Sequence, residues 1–311
     1  MTLINQNYVR AFQILLIIAA LPFVSGCGSE PAAEGAQARY TVIATTTMID
    51  DLVRTLVGDH GEIIGLMKPG QDPHVYEVLP RDAQAIAAAD LIVANGLRLE
   101  ATLHDVIENN ASGKIVYAAE HPAIDPLGSE DYAGAPDPHC WMDPELYRHY
   151  VTTVRDALVQ LDPEHADDYA QRADDYLAEL DELGGWVREQ FASIPEDQRV
   201  IVTSHDAFQY FGNAFGIEVH GVIGISTEQS PRPQDVVALE NMVRERGVRA
   251  LFIETSTAPA LNDLVRKIAD NTGVSVGGSL YSDSLGLPDS GADTYLGMMR
   301  HNVETVVQAL Q

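Results

Sequence analysis

Two segments of the chain place a histidine directly after Asp-Pro: Gly70–Pro80 (GQDPHVYEVLP) and Pro136–Tyr147 (PDPHCWMDPELY). Proline fixes its own φ and restricts the residue before it, so His74 and His139 each follow a stiff corner. Two more polar groups fall at the ends of apolar, strand-like runs: His205 closes VIVTSH, and Asp283 follows GGSLYS. In open α/β sheets, ligands bind beyond the carboxyl ends of the strands. Three imidazoles and one carboxylate there make a complete shell for a first-row divalent ion. Taken singly, a histidine at a strand end is more often a satisfied hydrogen-bonding residue than a ligand. His74 and His139 are expected to follow strands of the first lobe, and this shared position together with the Asp-Pro corners sets the four apart. His60, His104, His149, His165 and His301 read as solvated or structural, while His121 and His220 stay open. Cys140 adjoins His139, but neighbours along a strand face opposite ways. It is expected in the core as a small hydrophobe.

Such a set needs a frame that brings distant residues together. From Tyr40 the chain alternates strand-like and helix-like runs: YTVIA, a helix through TLVGDH, EIIGLM, PRDAQAIAAAD, LIVANG, LHDVIENNA and KIVYAAE. That alternation indicates a parallel sheet covered on both faces. Between Pro144 and Ile194 two long amphipathic helices replace it, and the Gly184-Gly185 pair is expected to kink the second, at about 1 kcal/mol per glycine relative to alanine. The alternation then resumes with RVIVTSH, IEVHGV, RPQDVVALENMVRERG, RALFIETS, APALNDLVRKIADNTG, VSVGGSLYSD and a final helix. The fold class is α/β: an N-terminal lobe over 40–162, a connecting helix over 163–194 and a C-terminal lobe over 195–311.

The first 39 residues read differently. One cation, Arg10, precedes an apolar run from Ala11 to Val24, too short for a comfortable membrane span and suited to an export signal over 1–26. The run ends in VSGC, which resembles a bacterial lipobox with Cys27 as the lipidated residue, and 27–39 reads as a flexible tether. With Cys27 acylated, Cys140 has no partner for an intramolecular disulfide. The 311 residues carry a net charge of −27, a surface that repels nucleic acid and anionic lipid. No Gly-rich phosphate loop, GxSxG or C-x-x-C stands out, so nucleotide, esterase and redox readings lack support.

The segments PGQDPHVYE, DPHCWMDP, TSHDAFQYFG, GISTEQSPRPQD and LYSDSLG, in this order, resemble the metal-binding lipoproteins of zinc and manganese ABC importers, the zinc-uptake periplasmic solute-binding family. NGLRLE and TYLGMMRHNVETVVQAL match it as well, and the likeness runs from Tyr40 to the C-terminus. The resemblance implies two Rossmann-like lobes on a rigid backbone helix, with one Zn²⁺ or Mn²⁺ ion, or Fe²⁺, held between them by His74, His139, His205 and Asp283. It also implies a monomer, lipid-anchored outside the cytoplasm, that delivers its ion to a membrane permease served by a cytoplasmic ATPase. Three features depart from the family pattern: Val78-Leu79-Pro80 in place of Pro-Thr-Pro, the double glycine, and no histidine-rich loop between His121 and His139.

Metal-bound histidines usually donate their other ring N–H to an acceptor that fixes the tautomer, and Glu77, Asp206 and Glu254 are the candidates here. Three nitrogens and one carboxylate suit tetrahedral zinc. A carboxylate binding through both oxygens would raise coordination to five and suit manganese or iron. Two rival readings are an adhesin with a structural metal and a zinc hydrolase. A catalytic zinc keeps an open position for water, which four protein ligands leave little room for.

Overall fold

The computed structural model describes residues 39–128 and 135–311. The expected export signal and Cys27 lie outside the described residues. The first lobe contains β1 (Thr41–Ala44), α1 (Thr47–Val57), β2 (Glu62–Gly65), α2 (Pro80–Ala88), β3 (Leu91–Ala94), α3 (Ala101–Asn110) and β4 (Lys114–Tyr117). Two long helices follow, α4 (Pro144–Leu161) and α5 (Ala166–Phe191). The second lobe contains β5 (Val200–His205), α6 (Gln209–Phe215), β6 (Glu218–Ile223), α7 (Pro233–Arg246), β7 (Ala250–Glu254), α8 (Pro259–Thr272), β8 (Ser275–Leu280) and α9 (Tyr295–Leu310).

Each lobe is built on a four-stranded parallel sheet, ordered β2-β1-β3-β4 in the first and β6-β5-β7-β8 in the second. The orders are equivalent, so the chain reverses direction of growth beside β1 in one sheet and beside β5 in the other. At such a switch point the connections leave in opposite directions and open a crevice at the carboxyl ends of the strands. The strands can be short because both faces are covered: all four residues of β3 and all six of β5 are buried. Proline opens α2, α4, α7 and α8, where a missing N–H costs no intrahelical bond.

The lobes share one core. A single apolar cluster runs from Val42 of β1 through Leu180, Leu183 and Val187 of α5 to Leu310 of α9. Trp141, buried within it, donates its indole N–H to Ser282 O at 3.1 Å, and its own carbonyl accepts Tyr295 OH at 2.7 Å. Tyr295 of α9 stacks on Tyr147 of α4 with ring centroids 3.8 Å apart. Losing an aromatic ring of this kind from a core costs about 3–5 kcal/mol, against about 0–1 kcal/mol for a surface ion pair. Apolar burial, not surface charge, therefore joins the two lobes.

Two expectations need correction. The Gly184-Gly185 pair does not break α5, which runs unbroken over Ala166–Phe191. Its buried residues pack along α4 and α9, and that packing outweighs a penalty of about 1 kcal/mol per glycine. His139 does not follow a strand but opens a 3-10 turn, Cys140–Met142, that leads into α4. The short helix α6 escaped the sequence reading: seven residues rich in aromatics carry no clear helical period. Gly216 ends it with φ 69°, in the left-handed region that glycine enters without strain.

A methyl added at Gly185 would meet nothing within 4 Å, and at Gly184 only Arg188 Nη1 at 3.6 Å, an ordinary contact. Replacing both glycines by alanine is expected to raise unfolding free energy by about 1–2 kcal/mol, measured by denaturant titration. A loss of stability would show that the helix face tolerates no side chain there.

Candidate metal centre

His74, His139, His205 and Asp283 come together at the crevice between the lobes, with one ligand atom from each lying within 4.8 Å of all the others. His74 lies on the loop after β2, His139 just ahead of α4, His205 is the last residue of β5, and Asp283 follows β8. Their relative exposures are 5%, 0%, 0% and 1%, so only the His74 side approaches solvent. His74 Nε2 lies 3.3 Å from His139 Nε2 and 3.7 Å from Asp283 Oδ2. His139 Nε2 is 3.5 Å from Asp283 Oδ1, and His205 Nε2 is 3.1 Å from Asp283 Oδ2. A tetrahedral shell with bonds of about 2.1 Å sets its ligand atoms about 3.4 Å apart, close to all four separations.

The donor atoms also lack other partners. His205 Nε2 and both oxygens of Asp283 are buried without a hydrogen bond. A buried carboxylate left so is strongly disfavoured unless a cation faces it. Both oxygens of Asp283 point at imidazoles, so the group can bind through one oxygen or two. Burial alone would raise the Asp283 carboxyl, but His205, His139 and His74 hold it well below the usual carboxylate range. Burial pulls His74 down to about 3, so this imidazole is neutral at physiological pH. Burial also opposes a charge on His205, yet the carboxylates of Glu254 and Asp283 outweigh it and hold this imidazole well above its ordinary range.

The two Asp-Pro-His corners have one local mechanism. In each, the aspartate Oδ1 accepts the backbone N–H of the histidine two residues on, at 2.9 Å for both Asp72–His74 and Asp137–His139. This is the turn that aspartate side chains form with their own backbone, and the proline between stiffens it. Asp137 does more: the same Oδ1 also accepts from His139 Nδ1 at 2.7 Å, which fixes the ring with Nε2 turned inward. The sequence reading credited the Asp-Pro pair with stiffness alone and missed this second bond. The signal was present in the spacing.

Glu254 is the one expected acceptor that reaches an imidazole. Its Oε2 takes His205 Nδ1 at 2.6 Å and its Oε1 takes His205 N–H at 2.8 Å. Asn262 of α8 braces this pair, accepting from Glu254 N at 3.0 Å and donating to Glu254 O at 2.7 Å. Glu77 does not take part: it follows the buried Tyr76 and its side chain is exposed. Asp206, just past the end of β5, accepts from Gln209 Nε2 at 2.8 Å rather than from an imidazole. Cys140 is buried in the core, with burial pushing its thiol up to about 12, and does not join the cluster.

The NGLRLE segment acts at one remove. Asn95 donates its side-chain N–H to Pro138 O at 3.0 Å and accepts Tyr150 OH at 2.8 Å, pinning the corner that carries His139. Buried Glu100 accepts Asn95 N at 2.9 Å and Thr45 OH at 2.6 Å, closing the network onto the end of β1.

The family model described as "Zinc-uptake complex component A periplasmic" matches residues 42–309. The chain is similar to the manganese-binding lipoprotein MntA of Halalkalibacterium halodurans, 34% identical over 300 residues, covering 96% of this chain and 98% of the relative. It is also similar to the zinc-binding protein TroA of Treponema pallidum, 36% identical over 294 residues, covering 93% of this chain and 95% of the relative. The solved structure of TroA superposes with a TM-score of 0.83, covering 88% of this chain and 99% of that one.

Two outcomes are expected. Glu254→Gln weakens metal affinity about 10–100-fold, while Glu77→Gln leaves it unchanged, both by competition with a chelating dye. The carboxylates of Glu254 and Asp283 raise His205 well above its ordinary range and favour its protonated form, whereas an ion needs the bare Nε2. Binding therefore releases this proton, and affinity rises as pH rises, up to about tenfold per unit while pH stays below the raised value. Titration calorimetry in buffers of different ionisation enthalpy reads the release directly. No buffer dependence would contradict the assignment.

Proposed function

The chain belongs to the periplasmic zinc-uptake component A family, and from that premise we propose that it is the substrate-binding lipoprotein of an ABC importer. It captures a divalent transition metal between its lobes and hands the ion to a membrane permease. The observation that carries this reading is the cluster of three imidazoles and a carboxylate, buried between the lobes with donor atoms that nothing else satisfies. His74, His139, His205 and Asp283 are the ligands, with lobes over 40–162 and 195–311 joined by the helix over 163–194.

The cargo is Zn²⁺ or Mn²⁺. Three imidazoles favour zinc, and the names of the relatives, one manganese-binding and one zinc-binding, support both. The inward-facing pair of oxygens on Asp283 lets the same residues serve a four- or five-coordinate ion. By intrinsic affinity zinc outcompetes manganese at such a site, so physiological choice follows metal supply as well as geometry. The protein sits outside the cytoplasm, held to the membrane by lipid on Cys27, and works as a monomer. It is not an enzyme: four protein ligands leave no open position at which a water could be activated.

Transport needs an ion held tightly and released on a signal. Two ligands come from each lobe, so the ion ties them together across the crevice. With a shared core resisting wide opening, release works through local movement of loops.

Metal-stripped protein heated with Zn²⁺, Mn²⁺ or Fe²⁺ added separately tests the reading. At an ion concentration 100 times the Kd, stabilisation reaches about 2.7 kcal/mol, a rise of about 4–5 °C in Tm for a chain of this size. His139→Ala is expected to abolish it. Stabilisation that survives in the variant, or none with any ion, contradicts the proposal.

A further inference from the structure

Three of the four proposed ligands are held from behind. Asp137 and Glu254 grip the rings of His139 and His205, and Asp283 follows Ser282, whose carbonyl takes the Trp141 indole. His74 is held differently. It rides on the loop between β2 and α2, and this loop is tied to the second lobe at two points. Gly70, in the left-handed region at φ 84°, turns its N–H to Ser284 Oγ at 2.7 Å. Thr227 donates its hydroxyl to Asp72 Oδ2 at 2.6 Å. The other oxygen of Asp72 holds the backbone N–H of His74 at 2.9 Å, so Thr227 is linked to the ligand through one carboxylate.

The same place borders solvent. His74 is the most exposed of the four, and its neighbour Val75 is 50% exposed. A cleft of about 550 Å³, lined in part by Gly70, Asp72, Val75, Thr227, Ser256 and Thr257, opens beside the two bonds. An ion leaving the cage on this side passes a loop whose two cross-lobe hydrogen bonds must break for His74 to move.

We propose that Thr227 and Ser284 are positioning residues that latch the His74 loop onto the second lobe and set how fast the ion leaves. The inference rests on the four-ligand reading above and extends it to residues that touch no metal. A hydrogen bond to a carboxylate contributes more than a neutral one, and removing the Thr227 hydroxyl leaves Asp72 Oδ2 without its cross-lobe partner. The loop then opens more often, while the ligand set stays intact.

The test is stopped-flow release of Zn²⁺ or Mn²⁺ from the full chain into excess chelator, with capture measured separately. Thr227→Val is expected to raise the release rate about tenfold, with capture changed less than twofold and the Tm of the metal-free chain lowered by no more than about 2 °C. Thr227→Ser, which keeps the hydroxyl, restores slow release. Should Thr227→Val fail to fold, Ser284→Ala cuts the other bond and carries the same expectation. Unchanged release, or fast release that persists in Thr227→Ser, overturns the latch while leaving the cage intact. A wild-type chain that holds no ion instead brings down the four-ligand reading itself.

Discussion

At the centre of the molecule lies a carboxylate, that of Asp283, buried with neither oxygen hydrogen-bonded. Taking such a charge out of water costs several kcal/mol unless positive charge faces it. Three imidazoles surround it, and one of them, His205, is itself backed by Glu254. Glu254 and Asp283 flank His205 with carboxylates on two sides and raise it well above its ordinary range. A divalent ion held by the four groups would supply the positive charge that this carboxylate of Asp283 needs.

That arrangement only works if the groups stay close when empty, which is a demand on the whole fold. Two sheets with equivalent strand orders put their carboxyl ends toward one crevice. The shared apolar cluster, the Trp141–Ser282 bond and the Tyr147–Tyr295 stack keep those ends in register. A hinge that swung freely would let water solvate Asp283 and lose the poise of the site. The long helix α5, unbroken despite its glycine pair, belongs to the same design. The loop that carries His74 is held to the second lobe by hydrogen bonds with the side chains of Ser284 and Thr227.

Much of this was legible from sequence because it depends on local patterns. Alternating strand and helix runs gave the two lobes, and strand ends marked His205 and Asp283. The Asp-Pro-His corners singled out His74 and His139. What failed to show depended on tertiary contacts or on very short elements. Packing along α5 overrode the glycine pair, and α6 was too short to display a period. Glu77 and Asp206 were reasonable acceptors by proximity along the chain, yet Glu77 is exposed and Asp206 bonds Gln209 instead. Glu254, far from His205 in sequence, was the one that reached it. The role of Asp137 was hidden in plain view, since the bond to His139 Nδ1 arises only once the turn has closed.

The most direct test of the central claim is anomalous diffraction from crystals of the protein loaded with one equivalent of Zn²⁺ or Mn²⁺, recorded at the absorption edge of that metal. The account predicts one strong peak, bonded to the Nε2 atoms of His74, His139 and His205 and to the carboxylate of Asp283. A peak elsewhere, for instance at the stacked surface pair His121–His149, with the cage left empty, would contradict it.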